Sequence, residues 1–104
     1  PMDDLYDIFE RYAGKAYHTH CKSIQYPEDK RNSKREMGWE YGKYASPIDE
    51  GDIDFERFAQ IMKAAKYKAD MCLENEIVSR LKTPEERFGQ LKREIDYLAR
   101  VTAI

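Results

Sequence analysis

The stretch AYHTHCKS, residues 16–23, sets Tyr17, Thr19 and Cys21 on one face and His18, His20 and Lys22 on the other. A period of two is that of a β-strand, so a strand is expected over 16–23 with two imidazoles and an ammonium on a single face. A second segment, ADMCLENE at 69–76, predicts a strand over 69–75. Met71 and Leu73 would turn inward, Cys72 and Glu74 would share the opposite face, and Glu74 would sit where the strand stops. Between the two lies a helix expected over 54–67, capped by Asp54, with Phe55, Phe58, Ala59, Met62 and Ala65 in one stripe. Two strands joined through a helix run parallel, because a parallel pair needs a crossover. The class is therefore α/β.

N-terminal to these segments, DDLYDIFERYAGK predicts a helix over 3–14 that starts at Asp3 or Asp4, ends at Gly14 and buries Leu5, Ile8, Phe9 and Tyr12. At the other end Thr83, Pro84 and Glu86 form a start signal of N-cap, first-turn proline and capping-box partner. They open a helix over 83–102, with Phe88, Leu91, Ile95 and Leu98 along its apolar face. No period holds over 24–53, where Pro27, Gly38, Gly42 and Pro47 are mixed with many charges, so a long loop is expected. The order is α-β-(long loop)-α-β-α within one domain, 1–104. Parallel sheets need cover on both faces, and two strands do not make a finished one.

Composition narrows the possible partners. Eighteen basic side chains against twenty acidic ones leave a net charge of −2, without the basic excess that non-specific nucleic-acid binding uses. With 41% hydrophobic and 37% charged residues, the chain has material for a core beneath a solvated surface. No apolar run reaches the roughly 18 residues of a membrane span, and no leader pattern opens the chain. A cytoplasmic protein without membrane or nucleic-acid partners is expected. Cys21 and Cys72 are too few for a disulfide framework and are expected reduced. The chain starts at Pro1 rather than methionine, which suggests a fragment.

His20 and Glu74 carry the chemistry. Near the C-terminal ends of parallel strands they lie where ligands gather in α/β folds, because the loops that follow can surround them. An imidazole and a carboxylate converging there can hold a divalent metal, and the carboxylate can move a proton beside a carbonyl. The plain alternative is a hydrogen-bonded histidine and a solvated glutamate. His18 is expected to support rather than ligate, and Cys21 and Cys72 to pack. In the long loop Lys30, Arg31, Lys34 and Arg35 are interspersed with Tyr26, Trp39, Tyr41 and Tyr44. There Arg31 or Arg35 could clamp a phosphate or carboxylate and Trp39 could stack on a sugar, the alternative being a solvated basic loop.

HTHCKS, followed by PIDEGDIDFERFAQIMKAAKYKADMCLENE, resembles the last two βα units of the xylose-isomerase-like barrels, the superfamily of sugar phosphate isomerases and epimerases. The resemblance implies a partial (β/α)8 TIM barrel, with the chain as its C-terminal part. It implies that His20 is a metal ligand, Glu74 a metal ligand and catalytic acid/base, and Lys22 the lysine of the family's His-x-Lys motif, in contact with substrate. The ion would be Mn, Mg, Co or Zn in the full-length parent, and the substrate a sugar or sugar phosphate. Ser23, Asp49, Lys68 and Ala69 depart from the family's pattern, mostly in turns. A complete barrel takes eight strands and about 250 residues. The family's other ligands, a glutamate and an aspartate on earlier strands, are therefore not in this chain, which alone is expected to be inactive and need not hold the ion.

Three functions follow as expectations. The first is the C-terminal portion of a divalent-metal-dependent sugar isomerase or epimerase working through an enediolate. The second is a non-catalytic, self-associating module whose open strand edges are covered by another copy or by the rest of a barrel. The third is an abasic-site endonuclease of the same superfamily. Lys43, Tyr44 and Ala45 stand where those enzymes carry an Asp-x-His, which argues against it.

Overall fold

Asp54 opens the central helix, its side chain accepting a hydrogen bond from the Arg57 N–H at 3.1 Å. Behind this cap, α3 runs Phe55–Ala64 and buries Phe55, Phe58, Ala59 and Met62, the stripe its period predicts. The computed structural model describes residues 2–34 and 36–103. In it, α1 spans Met2–Tyr12, β1 Thr19–Cys21, β2 Ser23–Ile24, α2 Tyr41–Tyr44, β3 Ala45–Ser46, β4 Met71–Leu73 and α4 Pro84–Thr102. Short 3-10 turns occupy Ala13–Lys15 and Val78–Arg80.

α3 stops before Tyr67 because Lys66 is left-handed, with φ 61°. The Lys66 N–H donates to the Lys63 carbonyl at 2.9 Å and the Tyr67 N–H to that of Met62 at 3.0 Å. These are the paired bonds of a Schellman turn, whose left-handed residue is usually glycine. A side chain in that conformation costs roughly 1–2 kcal/mol, partly offset by the chain entropy that glycine loses on folding. Lys66→Gly is expected to stabilise the chain by roughly 0.5–1 kcal/mol. A higher urea midpoint at constant slope would bear this out, and a lower midpoint would contradict it.

β1 and β4 pair in parallel, as the crossover requires, with Thr19 opposite Met71, His20 opposite Cys72 and Cys21 opposite Leu73. The Glu74 N–H adds a bond to the Cys21 carbonyl at 2.9 Å. Both strands are shorter than the 16–23 and 69–75 read from alternation, since each has one ladder partner and pairs only where the two overlap. Cys21, Met71 and Leu73 face a core of Ala13, Ile48, Phe55, Phe58, Met62, Leu98 and Val101.

The two outer helices are turned relative to the stripes expected of them. On α1 it is Tyr6 that is buried, while Ile8 and Tyr12 are half exposed. Tyr6 can go inside because its hydroxyl finds a partner, accepting the Asp54 N–H at 2.8 Å. Its ring meets Phe9 edge-on, and Phe9 meets Phe58 in turn. α4 starts at the expected capping box, the Thr83 hydroxyl accepting from the Glu86 N–H at 3.1 Å. Of its expected apolar face only Leu98 is buried, and Phe88 and Ile95 are 71% and 54% exposed. The buried face is Glu94, Leu98 and Val101. The helix turns so that the Glu94 carboxylate meets the Ile48 N–H at 3.0 Å and the Asn75 amide.

Residues 24–53 are more ordered than a loop. β2 and β3 form an antiparallel pair, Ser23 opposite Ser46 and Ile24 opposite Ala45, so the strand expected over 16–23 breaks at Lys22 and its end joins a second sheet. Asp52 ties the segment down: it accepts the Tyr26 N–H at 2.9 Å, pairs with Arg31 at 3.0 Å, and its own N–H donates to the Ile24 carbonyl. Arg80 adds bonds to the carbonyls of Ala45 and Gly42. Among the described residues no helix is long and apolar enough to cross a membrane.

Candidate functional site

The outer face of the β1–β4 pair collects the ionisable groups. His20 and Cys72 are register partners, His18 precedes β1 on the same face as His20, and Lys22 and Glu74 follow the two strand ends. The His20 Nδ1 lies 3.1 Å from Glu74 Oε2, and Lys22 Nζ donates to Glu74 Oε1 at 3.3 Å. The other His20 nitrogen, Nε2, is 3.1 Å from His18 Nε2, and Cys72 Sγ is 3.6 Å from that same His18 atom. His18 and His20 are exposed and Cys72 is half-buried.

Lys22 sets the local electrostatics. Its hydrogen bond holds the Glu74 carboxyl below the usual glutamate range, and the His20 bond adds to the effect. Reciprocally, Glu74 raises the Lys22 ammonium above its ordinary value, with Tyr41, whose ring lies 5.4 Å from Nζ, assisting. Glu74 is thus an ionised acceptor at neutral pH, and the His20 tautomer with its proton on Nδ1 can donate to it, a tautomer that directs the Nε2 lone pair at His18. A lowered folded-state value means that this interaction is present above the ordinary glutamate range and lost as pH falls through the folded value. The carboxyl carbon of Glu74, followed by NMR, should titrate below the ordinary range and move back up in Lys22→Met. A wild-type midpoint at or above the ordinary value would rule the contact out.

His20, Lys22 and Glu74, singled out from the sequence, are brought together. Arg31 and Trp39 are engaged elsewhere. Arg31 pairs with Asp52 and donates to the Tyr26 carbonyl, while Trp39 stacks on Tyr44 at 5.9 Å and its carbonyl accepts from the Tyr26 hydroxyl. Arg35 lies outside the described residues. Sequence reading did not single out the approach of His18 and Cys72 to His20. Alternation nevertheless places both on the ionisable face of the two segments. Cys21, on the opposite face, has its thiol pushed up to about 11 by burial, which keeps it protonated at neutral pH.

No family model matches the chain, and no curated protein or solved structure was found to be similar to it.

Proposed function

We propose that the chain is the C-terminal portion of a (β/α)8 barrel that isomerises or epimerises a sugar or sugar phosphate with a divalent metal. The observation that carries this reading is the 3.1 Å approach of His20 and Glu74 at the C-terminal ends of two parallel strands. An imidazole nitrogen and a carboxylate oxygen at that separation suit two neighbouring positions around Mn, Mg, Co or Zn. Such an ion, when bound, polarises a carbonyl and stabilises an enediolate. Glu74 would take and return the proton on the carbon beside that carbonyl, and Lys22, already on its other oxygen, would keep it ionised between transfers. Lys22 and Trp39 would contact the sugar, and Arg31 and Arg35 its phosphate, Arg31 by leaving Asp52.

The reading requires an upstream coding sequence with a glutamate and an aspartate at the ends of earlier strands. The polypeptide so encoded should exchange solvent deuterium into the carbon next to a ketose carbonyl, with exchange lost on chelation and in Glu74→Gln. Absence of either upstream carboxylate, or exchange unaffected by Glu74→Gln, would reject it.

Self-association is a second reading, favoured by apolar surface along the sheet edge. Leu91, Ile95, Ala99, Met71 and Leu73 line an open groove between α4 and β4, and Phe88 is exposed on α4. Light scattering after size exclusion tests it, since a monomer that persists across a concentration series is incompatible with it.

A further inference from the structure

The side chains on the ionisable face of β1 and β4 make a ligand set that needs no other strand. One ligand atom each from His18, His20 and Cys72, an imidazole nitrogen or the thiol sulfur, lie within 4.8 Å of one another. Around a tetrahedral zinc-class ion, with metal–nitrogen bonds of about 2.05 Å and metal–sulfur bonds of about 2.3 Å, neighbouring nitrogens stand about 3.3 Å apart and a nitrogen and a sulfur about 3.6 Å apart. The chain places the two imidazole nitrogens 3.1 Å apart and the sulfur 3.6 Å from His18 Nε2. Two edges of the tetrahedron are thus present without rearrangement.

Glu74 completes the arrangement from behind. Its carboxylate oxygen faces His20 Nδ1 at 3.1 Å, on the far side of the ring from the cluster. A carboxylate in that position fixes the tautomer and orients the ligating nitrogen, as it does behind many zinc-bound histidines. Two imidazoles and a sulfur select borderline metals such as Zn²⁺ and Co²⁺ over Mg²⁺ or Ca²⁺, which take oxygen.

We propose that His18, His20 and Cys72 bind a zinc-class divalent ion, with the fourth position open to water and Glu74 as the positioning residue behind His20. Binding converts the Cys72 thiol to a thiolate and releases its proton to solvent. The site joins β1 to β4, so occupancy also pins the parallel pair. It does not rest on the sugar chemistry, and the two readings place an ion on opposite nitrogens of His20.

Titration of the reduced chain with Co²⁺ distinguishes them. The expected result is an intense visible spectrum of tetrahedral type together with a near-ultraviolet sulfur-to-cobalt charge-transfer band, both displaced by Zn²⁺. Cys72→Ser should lose the charge-transfer band and His18→Ala should weaken binding at least tenfold, while Cys21→Ser leaves both unchanged. Glu74→Gln should keep the band with affinity lowered by roughly 10-fold or more. Circular dichroism establishes that each variant is folded. No charge-transfer band in the wild-type chain, or a band that survives Cys72→Ser, would overturn the proposal. Binding abolished by Glu74→Gln but indifferent to Cys72→Ser would also overturn it, and would leave the His20–Glu74 reading standing.

Discussion

Glu94→Ala should cost the chain about 3 kcal/mol of stability, a large share of the roughly 5–15 kcal/mol available to a domain of this length. Glu94 is a charged side chain with 1% of its surface exposed, midway along α4. One carboxylate oxygen accepts the Ile48 N–H at 3.0 Å and the other accepts from the Asn75 amide. Ile48 is itself 1% exposed, so its N–H has no water to turn to when the acceptor is removed. Hydrogen bonds to a charged acceptor are worth about 1.5–3 kcal/mol each, and a donor orphaned in the interior forfeits its solvation as well.

Glutamine at the same position separates shape from chemistry. Its single oxygen can keep the Ile48 bond, but its NH2 would then face the NH2 of Asn75. Asn75 cannot flip to oblige, because its oxygen already accepts the N–H groups of Ile77 and Val78 at 2.7 and 2.8 Å. About half of the alanine cost is therefore expected for Glu94→Gln. Urea unfolding of the three proteins checks both figures, and a Glu94→Ala midpoint indistinguishable from wild type would mean that the carboxylate does not hold the 45–50 segment to α4.

Gly51→Ala is the second large effect, and here the cause is steric. A β-carbon at position 51 would stand 1.9 Å from Ser23 Oγ, 2.6 Å from Ser23 Cβ and 2.6 Å from Ser46 Oγ. Ser23 and Ser46 are opposite each other in the β2–β3 pair and Ser23, whose Cβ is itself in the clash, is 2% exposed, so the Ser23 side chain cannot retreat without separating the strands. Overpacking of this kind costs about 1–3 kcal/mol and more when backbone must shift. A loss of about 3 kcal/mol is expected. Adding Ser23→Gly should recover at least about 1 kcal/mol through direct coupling of the two sites. Failure of the double variant to recover anything would show that the cost has another origin.

Both sites lie where sequence reading was weakest. A glutamate reads by its charge as a solvent-facing residue, although four residues before Leu98 it shares that residue's helix face, and a glycine before Asp52 resembles one more turn in a long loop. Only the arrival of Ile48 and Asn75 at Glu94, or of Ser23 at Gly51, from far along the chain gives them their roles. The same holds for Tyr6, buried because the Asp54 N–H meets its hydroxyl, whereas Ile8 and Tyr12 remain half exposed.

The features legible in the sequence were those with a short physical range. Asp54 and Thr83 cap helices because a side-chain oxygen reaches an N–H three residues on, and such a bond needs nothing else in the molecule. Alternation in 16–23 and 69–75 put His20, Lys22 and Glu74 on one face because the pleat has a period of two. The parallel sense of the pair followed from the helix between them. Tertiary structure alone decided which of two competing stripes on α1 and α4 turned inward, since periodicity reports a face without saying what will meet it. It also decided that 24–53 forms a second strand pair held by Asp52, and that His18 and Cys72 join His20. Those outcomes depend on a polar group finding its partner across dozens of residues, and burial is tolerated only where that partner arrives.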